Sequence, residues 1–203
     1  MATAELQSES NPAPSPEAYR WTVDEVERLW ELELFAGRRV ELIDGEIINM
    51  GYQDNLHAVG TGLLQRALLK LFGDKYWVRI QLPLKISEFD APIPDAAVVL
   101  GEPDDFQEHP ATALLVVEVS VSSLNYDTLR KASLYASAGV KNYWVVDMKS
   151  QILHVFRDPV ADKKQKFGYG YKTVRQMPQS KRIAPLALPK SGLSIADLMP
   201  KSR

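Results

Sequence analysis

Residues 114–147 constrain the fold most, because they set a glutamate inside an apolar run that has the character of a buried strand. The run reads LLVVEVSV, with Glu118 between valines. A Ser/Asn loop and an amphipathic stretch follow, and a second apolar run at 143–146 closes the segment. We therefore predict a strand, a helix and a strand. An unpaired carboxylate in such a run costs on the order of several kcal/mol, so Glu118 predicts a cation, a donor or water beside it.

The composition is that of an ordinary globular chain. With 203 residues, of which 45% are hydrophobic and 25% charged, we expect one domain with a substantial core. The net charge of -2 gives no global attraction to nucleic acid or anionic membrane, although a local basic face stays open. The absence of cysteine excludes disulfides and thiolate metal sites and favours a reducing cytoplasm. No apolar run is long enough to span a bilayer, and the N-terminal residues lack the basic-then-apolar pattern of a signal peptide. We therefore expect a soluble cytoplasmic protein.

The chain begins with a polar segment and then shows signals for helices and strands. Residues 1–18 are rich in Ser, Pro, Ala and Glu, which predicts a disordered tail before a single domain over 19–200. Capping-box spacing of Thr22 and Glu25 predicts a helix that ends near Phe35.

An Asp-Gly pair at 44–45 predicts the turn of a hairpin over 40–50, in which Glu41 pairs with Ile48. Hydrophobic periodicity predicts the remaining elements: a helix over 56–72, strands over 77–86, 93–100, 151–156 and 171–176, a polar loop over 158–170, and a short helix over 195–199 capped by Ser194. These elements predict a mixed sheet with helices packed on it, an α/β or α+β fold.

Two carboxylates are expected to meet on this sheet. Asp95 begins one predicted strand and Glu118 lies in the next, so the two converge if those strands are neighbours. Adjacent carboxylates repel each other and raise each other's pKa unless a cation lies between them. Oxygen ligands of this kind suit Mg²⁺, which can activate water and stabilise charge on a phosphoryl oxygen.

A lysine on the following helix completes the predicted constellation. A helix that begins near Asp127 places Asp127, Lys131 and Tyr135 on one face, one turn apart. Lys131 then lies on the side to which the loop returns from Glu118. An ammonium there can orient an attacking water or offset charge on the phosphate.

Four motifs carry a resemblance to a known family: VELIDGEII from Val40, Asn55-Leu56-His57, Pro94-Asp95, and EVSVSSLNYDTLRKASLYASAGVKNYWVVD. Over roughly residues 21–199 the chain resembles the Uma-type restriction endonuclease family of the PD-(D/E)XK nuclease superfamily. The last block is specific because its glutamate, Tyr-Asp, lysine, Leu-Tyr-Ala and Tyr-Trp occur in this order. The resemblance implies a restriction-endonuclease-like fold, a mixed β-sheet flanked by helices.

The resemblance also implies roles for individual residues. Asp95 and Glu118 would hold the metal, Lys131 would be the catalytic lysine, and Glu41 would be a further acidic member of the site. The superfamily pattern places a lysine two residues after the second acid, but that position is Ser120 here. Lys131 on the following helix would take this role, with Lys85 on the preceding strand as a second candidate.

Simpler structural explanations compete for several residues. We interpret His57 as a partly buried structural histidine, Tyr135 as a packing residue, and Asp127 as a helix cap or a partner of Lys131. Residues 163–182 contain seven Lys or Arg and no Asp or Glu. This basic run is either a surface that contacts phosphates or a solvated, flexible insertion.

The main hypothesis is a Mg²⁺-dependent endonuclease, with Mn²⁺ as a substitute, that hydrolyses DNA phosphodiester bonds. Superfamily resemblance also implies a homodimer. The alternative is a catalytically inactive module of the same fold that binds nucleic acid or protein. A third possibility is a metal phosphoesterase with a small substrate, for which an enclosed pocket is expected in place of an open groove.

Overall fold

The computed structural model of the protein describes residues 16–201. In chain order its elements are helix α1 (Val23–Glu31), strands β1 (Val40–Ile43) and β2 (Glu46–Asn49), helix α2 (Asn55–Phe72), strands β3 (Tyr76–Ile80), β4 (Ala96–Leu100) and β5 (Leu115–Ser120), helix α3 (Ala132–Ser137), and strands β6 (Asn142–Asp147), β7 (Ile152–Ala161), β8 (Tyr169–Pro178), β9 (Arg182–Ile183) and β10 (Leu193–Ser194). A π-helical segment, Tyr126–Lys131, leads directly into α3.

A six-stranded mixed sheet in the order β3-β4-β5-β6-β7-β8 forms the centre of the structure. Strands β5 and β6 run parallel, and the other neighbouring pairs are antiparallel. Strand β5, the helical crossover and strand β6 correspond to the predicted strand, helix and strand. The hairpin of β1 and β2 forms its own two-stranded sheet. The predicted mixed sheet with helices packed on it is confirmed.

The two faces of the sheet carry different helices, so the period of two along β5 decides which helix each side chain meets. Val117 and Val119 pack in the cluster formed with α2. Val116 packs in the cluster that includes Ala132 and Tyr135 of α3. Glu118, two residues after Val116, therefore points to the face of α3, as the alternation predicts.

Several local signals are confirmed. Thr22 and Glu25 form the capping box at the start of α1. The Asp-Gly turn joins β1 to β2 in the predicted register, with Glu41 opposite Ile48. Of the predicted tail, residues 1–15 lie outside the described part of the chain, and residues 16–18 are exposed and have no regular secondary structure.

Other predicted boundaries were wrong. Helix α1 ends at Glu31, before Phe35. The strand predicted over 77–86 ends at Ile80, because Gln81 has a φ of 50°, a left-handed conformation that a strand cannot continue. The predicted strand over 93–100 begins only at Ala96.

Only residues 162–168 of the polar stretch over 158–170 form the predicted loop. Strands β7 and β8 are long and antiparallel, and their pairing extends to Ala161 opposite Tyr169. Backbone pairing with β7 thus maintains an extended conformation that the polar side chains did not suggest. The C-terminal helix is a short 3₁₀ helix, Ile195–Leu198, after Ser194. No helix in residues 16–201 is both long and apolar enough to cross a membrane.

Helix α2 approaches β5 closely at Gly60. A Cβ atom there would lie 2.7 Å from Val119 Cγ1 and 2.8 Å from Met148 Cε. We predict that Gly60→Ala lowers the free energy of unfolding by about 1–3 kcal/mol, the usual cost of overpacking a core. Urea denaturation measures this change.

Gly62 in the same helix is the matched control, since an added Cβ meets nothing within 4 Å. Gly62→Ala is expected to raise the free energy of unfolding by about 0.5–1 kcal/mol through helix propensity alone. Equal effects of the two substitutions would show that the contact with Val119 is not limiting.

Candidate active site

A small cleft opens where the β1–β2 hairpin, the start of α2 and the end of β5 meet. It encloses about 80 Å³, enough for several water molecules. Its polar lining includes Arg39, Glu41, Asp54, His57, Asp95, Glu118, Asp127 and Lys131. Four of these carboxylates and one ammonium are buried, from Glu41, Asp95, Glu118, Asp127 and Lys131. The cleft therefore concentrates acidic groups around a single buried cation.

The pairing of β4 with β5 brings the two predicted metal-binding carboxylates to the same end of the sheet. Antiparallel register sets Ala96 opposite Val117. Asp95 lies directly before Ala96 and Glu118 directly after Val117, so they are adjacent across the two strands. Both side chains line the cleft. The convergence predicted from neighbouring strands is confirmed, whereas the chemical roles of these residues stay a proposal.

Lys131 joins two carboxylates that come from different sheets. Its Nζ donates to Glu118 Oε1 at 2.9 Å and to Glu41 Oε1 at 3.0 Å. The side chain of Lys131 is 1% exposed, so solvent hardly screens these pairs. Burial alone would lower the pKa of Lys131, but Glu118 and Glu41 raise it well above its ordinary value. Lys131 is therefore charged at neutral pH.

Glu118 accepts a second hydrogen bond, from the hydroxyl of Tyr135 at 2.7 Å. Burial raises the pKa of Glu118 well above its ordinary value; the charge of Lys131 opposes this shift and the carboxylate of Asp95 adds to it. Tyr135 lies one turn beyond Lys131 on the face predicted from the sequence. Its interpretation as a packing residue was incomplete, because its hydroxyl faces the cleft carboxylate.

Asp95 has the opposite electrostatic environment. Its Oδ2 accepts from the backbone N–H of Val119 at 2.8 Å and lies 3.2 Å from His57 Nε2. Its Oδ1 accepts from Gln81 Nε2 at 3.2 Å. Burial alone would raise the pKa of Asp95, but the hydrogen bonds from His57 and from the N–H of Val119 lower it below its ordinary value. Asp95 is thus the carboxylate of the adjacent pair that is held ionised.

His57 belongs to the cleft, which its interpretation as a structural histidine did not anticipate. Gln53 Nε2 donates to His57 Nδ1 at 2.8 Å, so the hydrogen bonds assign the ring proton that faces Asp95 to Nε2. The Asn-Leu-His motif at the start of α2 was the sequence signal for this position. Asp54 caps that helix by accepting from the backbone N–H of His57 at 2.8 Å.

The π-helical segment Tyr126–Lys131 sets the position of Asp127 and Lys131, and both are buried. Helical turns begin at Leu124, earlier than predicted. Asp127 Oδ2 accepts from Ser123 Oγ at 2.6 Å, and burial raises the pKa of Asp127, with Lys131 offsetting only part of the shift. Single π-helical turns are rare and are found disproportionately at functional sites.

Lys85, the second candidate lysine, does not line the cleft. Its Nζ pairs with Glu27 of α1, with an N–O distance of 2.9 Å. Of the two lysines considered from the sequence, Lys131 alone lies beside Glu118. Ser120, at the position where the superfamily has its lysine, is buried and lies 3.4 Å from Ser123, measured between their Oγ atoms.

The donor set of the cleft fits a hard divalent cation. Four buried carboxylates exceed one buried ammonium, and Glu41 Oε2 is buried with no hydrogen-bond partner in residues 16–201. A cation beside these oxygens would neutralise the excess charge, and oxygen ligands suit Mg²⁺ and Mn²⁺. No group of three or more His, Asp or Glu in the described range is arranged to hold a metal ion. Asp95 and Glu118, the metal ligands expected from the sequence, supply two carboxylates to the cleft, and metal binding by them stays a prediction.

The basic run over 163–182 covers the β7–β8 turn and most of β8. Lys166 Nζ lies 2.8 Å from Asp44 Oδ2, in the turn between β1 and β2. The side chain of Ser133 at the start of α3 accepts from Phe167 N and donates to Tyr169 O. The turn thus contacts the hairpin that lines the cleft and the helix α3. The two interpretations of the basic run, a phosphate-contacting surface and a flexible insertion, both stay predictions.

The raised pKa of Glu118 has a consequence for stability. The folded protein keeps this proton above the ordinary glutamate pKa of 4.5, so it binds more protons than the unfolded chain and loses stability as the pH rises. Glu118→Gln removes this pH-dependent loss of stability, because glutamine does not titrate. We predict that, from pH 5 to 7, the stability of the variant relative to wild type rises by up to about 1.4 kcal/mol per pH unit.

Urea denaturation at several pH values measures this difference. Glu31→Gln, which changes an exposed carboxylate at the end of α1, is the matched control and should give a curve parallel to wild type. A Glu118→Gln curve that also runs parallel to wild type would show that this carboxyl titrates normally in the folded protein.

Two comparisons place the chain among known proteins. A crystal structure from Anabaena variabilis, described as a "putative nuclease belonging to DUF820", is similar with a TM-score of 0.64 and 14% sequence identity, over 87% of this chain and 96% of that chain. At this identity the likeness shows a shared fold. No curated protein matches the chain. The model of the Uma2 family, described as "Putative restriction endonuclease", matches residues 24–196. Because that match covers most of the sequence, the chain belongs to this family.

Proposed function

We propose that this protein is a divalent-metal-dependent endonuclease that hydrolyses phosphodiester bonds of DNA. One observation carries the proposal: Asp95, Glu118 and Lys131 come from two strands and a helix and converge in one cleft. The descriptions of the family and of the Anabaena variabilis structure as nuclease-like support the same reaction class.

Asp95 and Glu118 would hold Mg²⁺ or Mn²⁺ through carboxylate oxygens. When bound, such an ion supplies positive charge to the phosphoryl group and makes a water molecule more acidic. The N–H of Val119 and the ring of His57 fix the orientation of Asp95, so this carboxylate is preorganised and ionised. The ammonium of Lys131 fixes the orientation of Glu118 through the hydrogen bond to Glu118 Oε1.

Lys131 retains donor capacity for the reaction. An ammonium has three N–H donors, and two of these bond Glu118 and Glu41. The third can hydrogen-bond the attacking water or a phosphoryl oxygen, where positive charge stabilises the transition state. Glu41, whose Oε2 has no partner in residues 16–201, would hold Lys131 in position and attract the cation.

One observation favours the alternative, a non-catalytic binding module. Lys131 is 1% exposed, and its two ion pairs satisfy much of the buried charge without any ligand. Such a cluster can serve folding alone. A cluster that serves folding alone would show neither catalysis nor metal binding. Each of these two properties therefore needs its own measurement.

One prediction of this proposal concerns cleavage of supercoiled plasmid in Mg²⁺ or Mn²⁺. Wild type is expected to nick the plasmid, and Asp95→Asn should lower the rate at least about 100-fold because it removes a charged oxygen ligand. Lys131→Gln, which keeps a donor for one carboxylate, should lower it at least about 10-fold. Agarose gels measure the rate, and circular dichroism verifies folding.

Lys70→Met is the matched lysine control, since Lys70 is exposed on α2 and does not line the cleft. This variant should nick at the wild-type rate. If wild type fails to nick, or if Asp95→Asn nicks as fast as wild type, the nuclease proposal fails.

A second prediction tests the metal without activity. Mg²⁺ at 100 times its dissociation constant should stabilise wild type by about 2.7 kcal/mol, and hence raise Tm by several degrees. Asp95→Asn should lose this shift, whereas Asp74→Asn, an exposed change in the turn after α2, should keep it. An equal shift in wild type and Asp95→Asn would place the ion elsewhere.

A further inference from the structure

A second polar cavity lies beside β3, apart from the cleft. It encloses about 320 Å³ and shares no lining residue with the cleft. Its walls are formed by Glu27, Trp77, Arg79, Lys85, Phe106, Gln107, Glu108 and His109. Two cationic side chains, two carboxylates, an imidazole and two aromatic rings thus face one space that the proposed nuclease reaction does not use.

Arg79 is the central group of this cavity. The side chain leaves β3 opposite Ala97, whose small size leaves room for a guanidinium on this face of the sheet. Arg79 is 1% exposed, although it is a charged residue. Its Nη2 donates to Pro83 O at 2.8 Å and to His109 Nδ1 at 2.9 Å, and the group lies 4.3 Å from the ring centre of Trp77.

The charge of Arg79 is uncompensated. Its Nε and Nη1 are buried with no hydrogen-bond partner in residues 16–201, and no carboxylate in that range forms an ion pair with it. Burial lowers the pKa of Arg79, but the ordinary pKa of a guanidinium is so high that the group stays charged at neutral pH. A buried charge without a counter-ion is costly, and so are unmade hydrogen bonds at its donors.

The neighbouring groups do not supply the missing negative charge. Glu27 pairs with Lys85 at 2.9 Å, so its charge is matched there. Glu108 also lines the cavity, but within the described residues it forms no ion pair with Arg79. Burial lowers the pKa of His109 and the charge of Arg79 lowers it further, which keeps the imidazole neutral as a hydrogen-bond acceptor. Arg79 therefore keeps two buried donors unpaired beside a space large enough for a small ligand.

We propose that this cavity binds a small oxyanion, a phosphate or carboxylate group, through Nε and Nη1 of Arg79. Lys85, although paired with Glu27, lines the same wall, and its ammonium has further N–H donors that an anion can share. Trp77 and Phe106 supply the apolar part of the lining. Guanidinium groups bind both types of oxyanion with charge-assisted hydrogen bonds. The site does not depend on the proposed nuclease activity.

Titration with sodium phosphate, and separately with sodium acetate, tests the site at constant ionic strength and without divalent ions. Trp77 contacts the Arg79 guanidinium, so tryptophan fluorescence should change and saturate with a millimolar dissociation constant. The anion with the lower constant identifies the preferred group. Arg79→Met should abolish saturation and remain folded, because an apolar side chain of similar length replaces a buried charge.

Arg157→Met is the matched control. Arg157 also has a buried Nε without a partner in the described residues, but it does not line the cavity. Its variant should bind like wild type. If Arg79→Met does not fold, Lys85→Met takes its place as the test. Lys85→Met should raise the dissociation constant of the anion at least about threefold. The proposal is overturned if neither anion saturates wild type, if Arg79→Met binds equally well, or if Lys85→Met leaves the constant unchanged.

Discussion

The ammonium of Lys131 is the interaction on which the architecture of the cleft depends. It joins Glu41 of the separate β1–β2 hairpin to Glu118 of the central sheet, and it is itself carried by the crossover helix. Removing one partner from a buried ion pair costs about 3–5 kcal/mol, because the other charge stays buried. Surface pairs such as Arg130 with Glu46 contribute far less, so the buried pair is the stronger ionic contact between the hairpin and the rest of the cleft.

Adjacent carboxylates with opposite proton affinities are the second organising feature. Asp95 is surrounded by donors that favour its ionised form, whereas burial and neighbouring acids favour the protonated form of Glu118. Environments that separate the pKa values of neighbouring groups are typical of sites that hold cations or transfer protons. The fold separates the two pKa values. The N–H of Val119 in β5 and the imidazole of His57 on α2 reach Asp95, whereas Glu118 faces the side of the sheet that carries α3.

Much of this arrangement could be predicted from local pattern. Alternation in β5 placed Glu118 on the face of α3, helical spacing placed Lys131 with Tyr135, and the Asp-Gly turn fixed the register of Glu41. What the pattern could not give was contact between distant elements. His57 reaches Asp95 only because α2 crosses the sheet at Gly60, and Arg79 is buried only because the chain turns away at Gln81 and returns His109 beside it. These positions depend on tertiary packing, which one sequence does not encode in its periodicity.

The π-helical segment gives the cleft a register of its own. Its wider turn accommodates one residue more than an α-helical turn would, so the chain before it is rotated relative to α3. Deleting one residue between Tyr126 and Lys131 would restore ordinary winding and rotate Asp127 and Ser123 away, while Lys131 and Tyr135 kept their positions relative to α3. Asp127 would then leave the cleft, although Lys131 could still pair with Glu118 and Glu41. Helix winding, as much as residue identity, therefore determines whether a chain of this kind presents a complete site.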